Sequence, residues 1–269
     1  MDEFFESFQN PNLPPSRNNS KAEFSLKKRP NEILLDPVKL KTQFLINIGP
    51  KNIPVHFPHE PYQIQIAYME KVIEALETKQ NALLQSPTGT GKTLCLLCAS
   101  LAWLNYRRSQ DKSDKKPIRL LYSSRTHAQL KQVMKELKTT AYKPFCTTIG
   151  SRDHYCIKKE FNNIKGTNLN ASCAKARKMK TKVFQKTEGD EIIDYCKFYQ
   201  TENEMMSYTI PKLFNPNSIK GSELMDIEDL KHDGISNGFC PYYVSMKILN
   251  DVDILFLPYN YLLEKRVKH

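Results

Sequence analysis

The chain has 269 residues, 40% of them hydrophobic and only nine of them glycine, which is enough apolar material for one large domain or two small ones. Forty Lys and Arg against 29 Asp and Glu give a formal charge of +11, which favours an anionic partner, nucleic acid first. No apolar run reaches the ~18 residues a membrane span needs. The acidic start Met1-Asp2-Glu3-Phe4-Phe5-Glu6 is the reverse of a secretory signal, so the seven cysteines read as metal ligands or buried thiols rather than disulfides.

Residues 1 to 42 mix Pro, Asn, Ser and charge without periodicity and are expected to form a disordered tail. Within it, Lys27-Lys28-Arg29-Pro30 has the composition of a nuclear-import cluster, although such clusters are common in solvated tails. Order is expected from about Phe44, and Ile66, Met69, Ile73 and Leu76 have helical spacing over Gln65 to Leu76. Asn81 to Gln85 then reads as a strand leading into Ser86-Pro87-Thr88-Gly89-Thr90-Gly91-Lys92-Thr93. Leu94 to Leu104 follows as a helix apolar almost all round, hence buried. Residues 107 to 117 form a polar connection, Ile118 to Ser123 a second buried strand, and Leu130, Val133, Met134 and Leu137 one face of the next helix. Asp253 to Leu257 is the third strand. Strands alternating with helices predict an α/β fold, a parallel sheet covered on both faces with ligands at the carboxyl ends of its strands. Between Gly150 and about Met246 this rhythm stops, and the interval, rich in Lys, Asn, Ser and Cys, reads as an insertion. The expected division is therefore 1–42 tail, 43–149 first part of the α/β domain, 150–246 insertion and 247–269 return.

Ser86 to Thr93 has the chemistry of a phosphate-binding loop. Gly89 and Gly91 let backbone N–H groups wrap phosphates, Lys92 reaches the β/γ oxygens, and Thr93 offers a hydroxyl to Mg²⁺ at a helix N-terminus. The fingerprint asks for Gly where this chain has Ser86. Ser124-Arg125-Thr126-His127 ends a strand and opens a helix. Thr126 with Gln129 fits a capping box, while Arg125 and His127 suit a phosphate at the helix start. Cys156, Cys173, Cys196 and Cys240 occur in or at the edges of the insertion at wide, irregular spacings. An iron–sulfur cluster or zinc would accept such a set, and unrelated buried thiols fit it as well. Cys95 and Cys98 have C-x-x-C spacing but lie on the buried helix, where core filling is the simpler role, and Cys146 is unassigned. From Cys156 to Lys186 nine Lys or Arg face one acid, Glu160. Such a run is often a solvated face, but it also suits a DNA backbone, with Lys175, Arg177 and Lys178 at its centre.

Taken together these motifs resemble the XPD-like iron–sulfur superfamily 2 DNA helicases, the regulator-of-telomere-elongation type first and the FANCJ type next. The likeness runs from Phe57 to Leu263. Beyond the motifs quoted above it includes Phe57-Pro58-His59-Glu60-Pro61-Tyr62, Gly150-Ser151-Arg152-Asp153-His154-Tyr155-Cys156, Cys240-Pro241-Tyr242-Tyr243 and Leu257-Pro258-Tyr259-Asn260-Tyr261-Leu262-Leu263. Members of that family usually carry a small residue such as Ser at the position of Ser86. The resemblance implies a RecA-like sheet interrupted by a small, mostly helical iron–sulfur domain. It implies ATP and Mg²⁺ as cofactors and Gln65 as the adenine-reading glutamine. Ser124, Arg125, Thr126 and His127 would grip single-stranded DNA, and Cys156, Cys173, Cys196 and Cys240 would hold a [4Fe–4S] cluster. It implies 5′ to 3′ translocation on single-stranded and forked DNA in genome maintenance (repair, telomeres, recombination) in the nucleus. The family's Asp-Glu-Ala-His box and second motor domain follow the motif at Leu263, whereas this chain stops at His269 with no catalytic set complete. The chain by itself is therefore expected to bind ATP and DNA without efficient hydrolysis or unwinding. The alternative is a non-enzymatic nucleic-acid-binding module with a structural metal and a vestigial loop.

Overall fold

The computed structural model of the chain describes residues 32–110, 118–183, 195–213 and 224–263, without the side chains of 179–183. These fall into two units, one within Lys27–Cys146 and Asp251–Tyr259, the other within Thr147–Asn250 and Asn260–His269. The import-type cluster at Lys27 to Pro30 and most of the expected tail lie outside the described residues.

Structure in the first unit starts earlier than Phe44. Ile33 is buried and its N–H donates to Asn105 Oδ1 at 2.6 Å. A short strand β1 (Leu34–Leu35) precedes helix α1 (Pro37–Leu40), whose start is fixed by Asp36 accepting from the N–H groups of Val38 and Lys39, with Pro37 in the first turn. These elements are too short to show a period, so composition alone made them look like tail. Strands β2 (Phe44–Ile48) and β3 (Ile53–Phe57) form an antiparallel hairpin with Phe44 opposite Phe57. The β3 residues Ile53, Val55 and Phe57 alternate inward. The turn between the strands needs Gly49 at φ +72°, a backbone region where a side chain is strained.

Helix α2 (Gln63–Thr78) buries Met69, Val72 and Ile73. Helix α3 (Lys92–Gln110) buries residues all round, from Leu94, Cys95, Leu97 and Cys98 to Leu101, Trp103 and Leu104, as its apolar sequence predicts. Near its end Arg108 is buried, donates to Ile118 O at 2.6 and 3.0 Å and pairs with Asp253. Asp253 also accepts from the Phe145 N–H at 2.7 Å. Removing either charge would strand the other in a poorly solvated site, at a cost of about 3–5 kcal/mol.

Strand β4 (Leu120–Ser124) pairs in parallel with a strand near the end of the chain, Ile254–Pro258, with Leu120 opposite Ile254. Helix α4 (His127–Thr139) buries Leu130, Val133, Met134 and Leu137, the four residues that mark its face in the sequence. Strand β5 (Tyr142–Lys143) pairs with β1, and β6 (Cys146–Thr148), along which the chain leaves this unit, gives the sheet order β4, Ile254–Pro258, β6. The fold is thus mixed α/β with a parallel strand pair, as expected. Two details differ from expectation. Asn81 to Gln85 forms no strand, and Leu83 is 99% exposed. Strand β4 is not buried on both faces, since Leu121 is 51% exposed. Among the described residues no strand pairs with the outer edge of β4, and apolar composition alone cannot form a ladder without a partner.

The second unit is helical, and among the described residues from 150 to 246 there is no strand. It contains α5 (Arg152–Tyr155), a single turn at Lys159–Phe161, α6 (Gly166–Val183), α7 (Glu202–Glu204), α8 (Ile210–Leu213), α9 (Ile227–Asn237) and α10 (Pro241–Lys247), with α11 (Asn260–Leu263) after β7 (Ile254–Pro258). Its small core is made by Ile157, Phe161, Leu169, Ala176, Cys196 and Phe198, with Cys156, Cys173 and Cys240 packed against them.

Candidate functional site

The phosphate loop leads into α3. Gly89 (φ +81°) and Gly91 (φ +75°) both occupy the left-handed region. A Cβ on Gly91 would also lie 2.8 Å from Gln65 Nε2, the end of a flexible side chain that can give way, so it is the positive φ that disfavours a side chain here. The Ser86 and Thr90 hydroxyls are 2.7 Å apart, and Thr90 donates to Pro87 O at 2.9 Å, which closes the loop on itself. Lys92 Nζ donates to the carbonyls of Ser86 at 2.8 Å and Pro87 at 2.6 Å, bonds that a phosphate oxygen can replace. Gln65 is a strut: its Oε1 accepts from the Tyr62 N–H at 3.0 Å and its Nε2 donates to Thr90 O at 3.1 Å. The start of α2 is thereby tied to the loop. Burial raises the Tyr122 phenol of β4 and the nearby Thr93 hydroxyl opposes that rise; the sequence did not single out this neighbour. Cys95 and Cys98 lie behind the loop; burial pushes the Cys95 thiol up to about 11 and Cys98 well above its ordinary value, away from reactive thiolate.

At the end of β4 the capping box is present. Thr126 accepts from the Gln129 N–H at 3.2 Å, and Gln129 Oε1 receives the Arg125 N–H at 3.1 Å, the Thr126 N–H at 3.3 Å and the Ser124 hydroxyl at 2.9 Å. Gln129 therefore takes donors that an anion at the helix start would otherwise use. What this corner offers to a phosphate is the exposed Arg125 guanidinium, with His127 half-buried beside it.

The four widely spaced cysteines come together. Cys156, Cys173, Cys196 and Cys240 line one cavity of the helical unit, with Phe161, Phe198, Tyr242 and Tyr243 completing an apolar wall and Arg152, Lys158 and Arg177 at its sides. Four elements supply the thiols: the end of α5, the middle of α6, the segment at Cys196 and the N-cap of α10. Burial raises the Cys156 and Cys196 thiols above their ordinary value and pushes Cys240 up to about 12, with Cys196 and Cys173 adding to the rise at Cys240. All seven cysteines are free, and among the described residues no three His, Cys, Asp or Glu side chains form a group that could hold a single metal ion. On α6, Lys175 and Lys178 share an exposed face, whereas Arg177, one helical turn from Cys173, turns inward to Tyr199 and Tyr243.

The profile of the DEAD_2 family matches residues 122–269, more than half of the chain. The chain belongs to the DEAD_2 family. Curated relatives agree: the regulator of telomere elongation helicase 1 homolog of Arabidopsis thaliana is 40% identical over 241 residues, 81% of this chain and 21% of that protein. The homolog of Oryza sativa subsp. japonica is 36% identical over 252 residues, 80% of this chain and 23% of its own length. The chain therefore spans about a fifth of the length of these relatives. Among solved structures, an XPD helicase aligns at 22% identity with a TM-score of 0.44, over 78% of this chain and 30% of that one. A truncated XPD aligns at 21% identity with a TM-score of 0.40, over 74% of this chain and 46% of that one.

The DEAD_2 match begins within β4 and so takes in the Ser124–His127 corner and all four cavity cysteines, while the phosphate loop precedes it. Sequence reasoning named the loop, the corner and the cysteines. It missed Arg152, Lys158, Tyr242 and Tyr243 as cavity residues and Gln129 as the knot of the corner. The signal for Arg152 was its place one helical turn before Cys156, and that for Tyr243 its place three residues after Cys240.

Proposed function

We propose that this DEAD_2 chain is the N-terminal part of an ATP-dependent 5′ to 3′ DNA helicase that carries a [4Fe–4S] cluster and acts in genome maintenance in the nucleus. The observation that carries the cluster is the meeting of Cys156, Cys173, Cys196 and Cys240 on one cavity. A mononuclear zinc site needs its thiolates converging at about 2.3 Å on one point. Thiols set around the walls of a cavity suit a polynuclear cluster, whose irons take one cysteine each. Among the described residues the cavity lining includes the cations Arg152, Lys158 and Arg177.

In the other unit, Gly89, Thr90 and Gly91 would present N–H groups to the phosphates of ATP, with Ser86, Pro87 and Thr88 forming the rest of the loop. Lys92 would exchange its loop carbonyls for phosphate oxygens, and Thr93 would ligate Mg²⁺. Gln65 would move its amide from Thr90 toward adenine, so that base recognition and loop shape change together. Ser124, Arg125, Thr126 and His127, with Lys175 and Lys178, would contact single-stranded DNA, and forked DNA would be the natural substrate. The regulator of telomere elongation helicase 1 homologs support this setting. Among the described residues no helix is long and apolar enough to cross a membrane.

The 269 residues contain no Asp-Glu-Ala-His box, so hydrolysis lacks its Mg²⁺-holding acid and water-orienting base within them. The purified chain should therefore bind a fluorescent ATP analogue with Mg²⁺ and turn over no ATP, with or without single-stranded DNA; robust turnover would contradict this. A longer form of the protein that carries an Asp-Glu-Ala-His box should unwind a duplex bearing a 5′ single-stranded overhang and leave one with a 3′ overhang intact. The opposite preference would overturn the polarity, and failure on both would favour a binding module.

A further inference from the structure

Each cavity cysteine has a companion side chain one helical turn away. Arg152 lies four residues before Cys156 and Arg177 four after Cys173, while Tyr199 and Tyr243 lie three after Cys196 and Cys240. Backbone bonds hold these pairs together: the Cys156 N–H donates to Arg152 O at 2.8 Å and the Tyr199 N–H to Cys196 O at 3.2 Å. Arg177 shares α6 with Cys173, and Tyr243 sits in the first turn of α10, whose N-cap is Cys240. The four companions meet at Tyr243. Its hydroxyl accepts from Arg152 Nη2 at 3.0 Å and from Arg177 Nη1. Its ring packs edge-on against Tyr199, with centroids 5.2 Å apart and planes at 74°. One side chain of α10 therefore touches the companion of each of the other three cysteines. Two further bonds brace the same set: Arg152 Nη1 donates to Asn170 Oδ1 on α6 at 3.1 Å, and the Cys196 N–H donates to Ala176 O at 3.3 Å.

Bringing four thiols together from separate segments costs chain entropy, which contacts within the unit must offset. The apolar wall of Phe161 and Phe198 offsets part of it, but hydrophobic contact is non-directional and does not fix how far each segment turns. A phenol oxygen that accepts from two guanidiniums is directional, and charge-assisted bonds of this kind are the strong ones. We propose that Tyr243 is the positioning residue of the cysteine cavity: its hydroxyl and ring hold the four cysteine-bearing segments together, so that the thiols converge before any metal is bound. The use of that convergence in cluster assembly rests on the cluster reading given above, whereas the convergence itself needs no metal. Arg177 is here a strut between α6 and α10, which accounts for its inward turn out of the basic run and leaves Lys175 and Lys178 on the outer face of α6.

The test uses the whole 269-residue chain, stripped of metal by chelator and reductant. Tyr243→Phe keeps the ring and removes the acceptor, and Tyr243→Leu removes both. Tyr242→Phe is the control, since it takes away the neighbouring hydroxyl and leaves both guanidinium bonds on Tyr243. The chain is treated with dibromobimane, which couples two neighbouring thiols, and bridged peptides among Cys156, Cys173, Cys196 and Cys240 are quantified by mass spectrometry. Bridging should fall about tenfold in Tyr243→Phe, as loss of a charge-assisted hydrogen bond predicts, fall further in Tyr243→Leu, and stay at the parent level in Tyr242→Phe. The circular dichroism of Tyr243→Phe should match the parent, so that the lost bridging reports thiol placement rather than lost helix. Parent-level bridging in both Tyr243 variants would overturn the inference, as would a loss that only follows a loss of helix. Purified without oxygen, Tyr243→Phe should also release its iron to a chelator faster than the parent. A parent without iron would remove the cluster reading, and the bridging result would then decide the role of Tyr243 by itself.

Discussion

At the scale of single residues, the phosphate loop depends on Gly91 for its backbone conformation. Gly91→Ala would strain a φ of +75° and press a methyl group to within 2.8 Å of Gln65 Nε2. The variant should bind a fluorescent ATP analogue at least about tenfold more weakly, which corresponds to the ~1.4 kcal/mol that a small steric and conformational penalty supplies. Affinity equal to the parent would mean that the loop opens before ATP enters. On α6, Lys175→Ala and Lys178→Ala should each weaken single-stranded DNA binding regardless of sequence and lower the salt slope by about 0.7. The shape of the loop was legible in the sequence because it is local: Gly89 and Gly91 take the left-handed backbone that their positions require. The inward turn of Arg177 toward Tyr199 and Tyr243 was not legible, because a run of cations carries no mark of which side chains face outward until the helix phase is known.

At the scale of elements, the two faces of the α/β unit should respond very differently to substitution. Leu97 on α3 is buried on a helix that is apolar all round, and Leu97→Ala should cost about 2–5 kcal/mol in chemical denaturation. Leu83, 99% exposed, and Leu121, 51% exposed, lie on the unpaired lead-in segment and on β4. Leu83→Lys and Leu121→Lys should change stability by no more than about 0.5 kcal/mol and reduce self-association measured by light scattering. A loss at Leu83 as large as that at Leu97 would show that the lead-in segment is packed after all. Helices α2 and α4 were readable because period and burial agree in each, and α3 and β7 because a continuous apolar run matches burial on every side. The β2–β3 hairpin went unread although Gly49 and Asn52 mark its turn, because Phe44-Leu45-Ile46 is an apolar run without alternation and Pro54 interrupts β3. The lead-in segment was misread for the opposite reason. Its composition favours a strand, but a strand also requires a neighbour, and a local pattern does not supply one.

At the scale of the whole molecule, the charge of +11 and the interrupted α/β rhythm already pointed to a nucleotide-using unit and a basic insertion. The meeting of four cysteines from four separate elements could not be read from their spacing. It is a property of how α5, α6 and α10 pack, and the same packing brings Arg152, Lys158 and Arg177 to the cavity. On the reading proposed above, DNA would be the partner, and a cluster in the cavity would distinguish this chain from a plain nucleotide-binding protein. The most direct measurement is the iron and acid-labile sulfide content of the anaerobically purified chain, alongside Cys173→Ser and Cys240→Ser. The account predicts brown protein with iron and sulfide in equal amounts, both lost in the two variants. Colourless protein loaded with zinc, or iron that survives both substitutions, would contradict it.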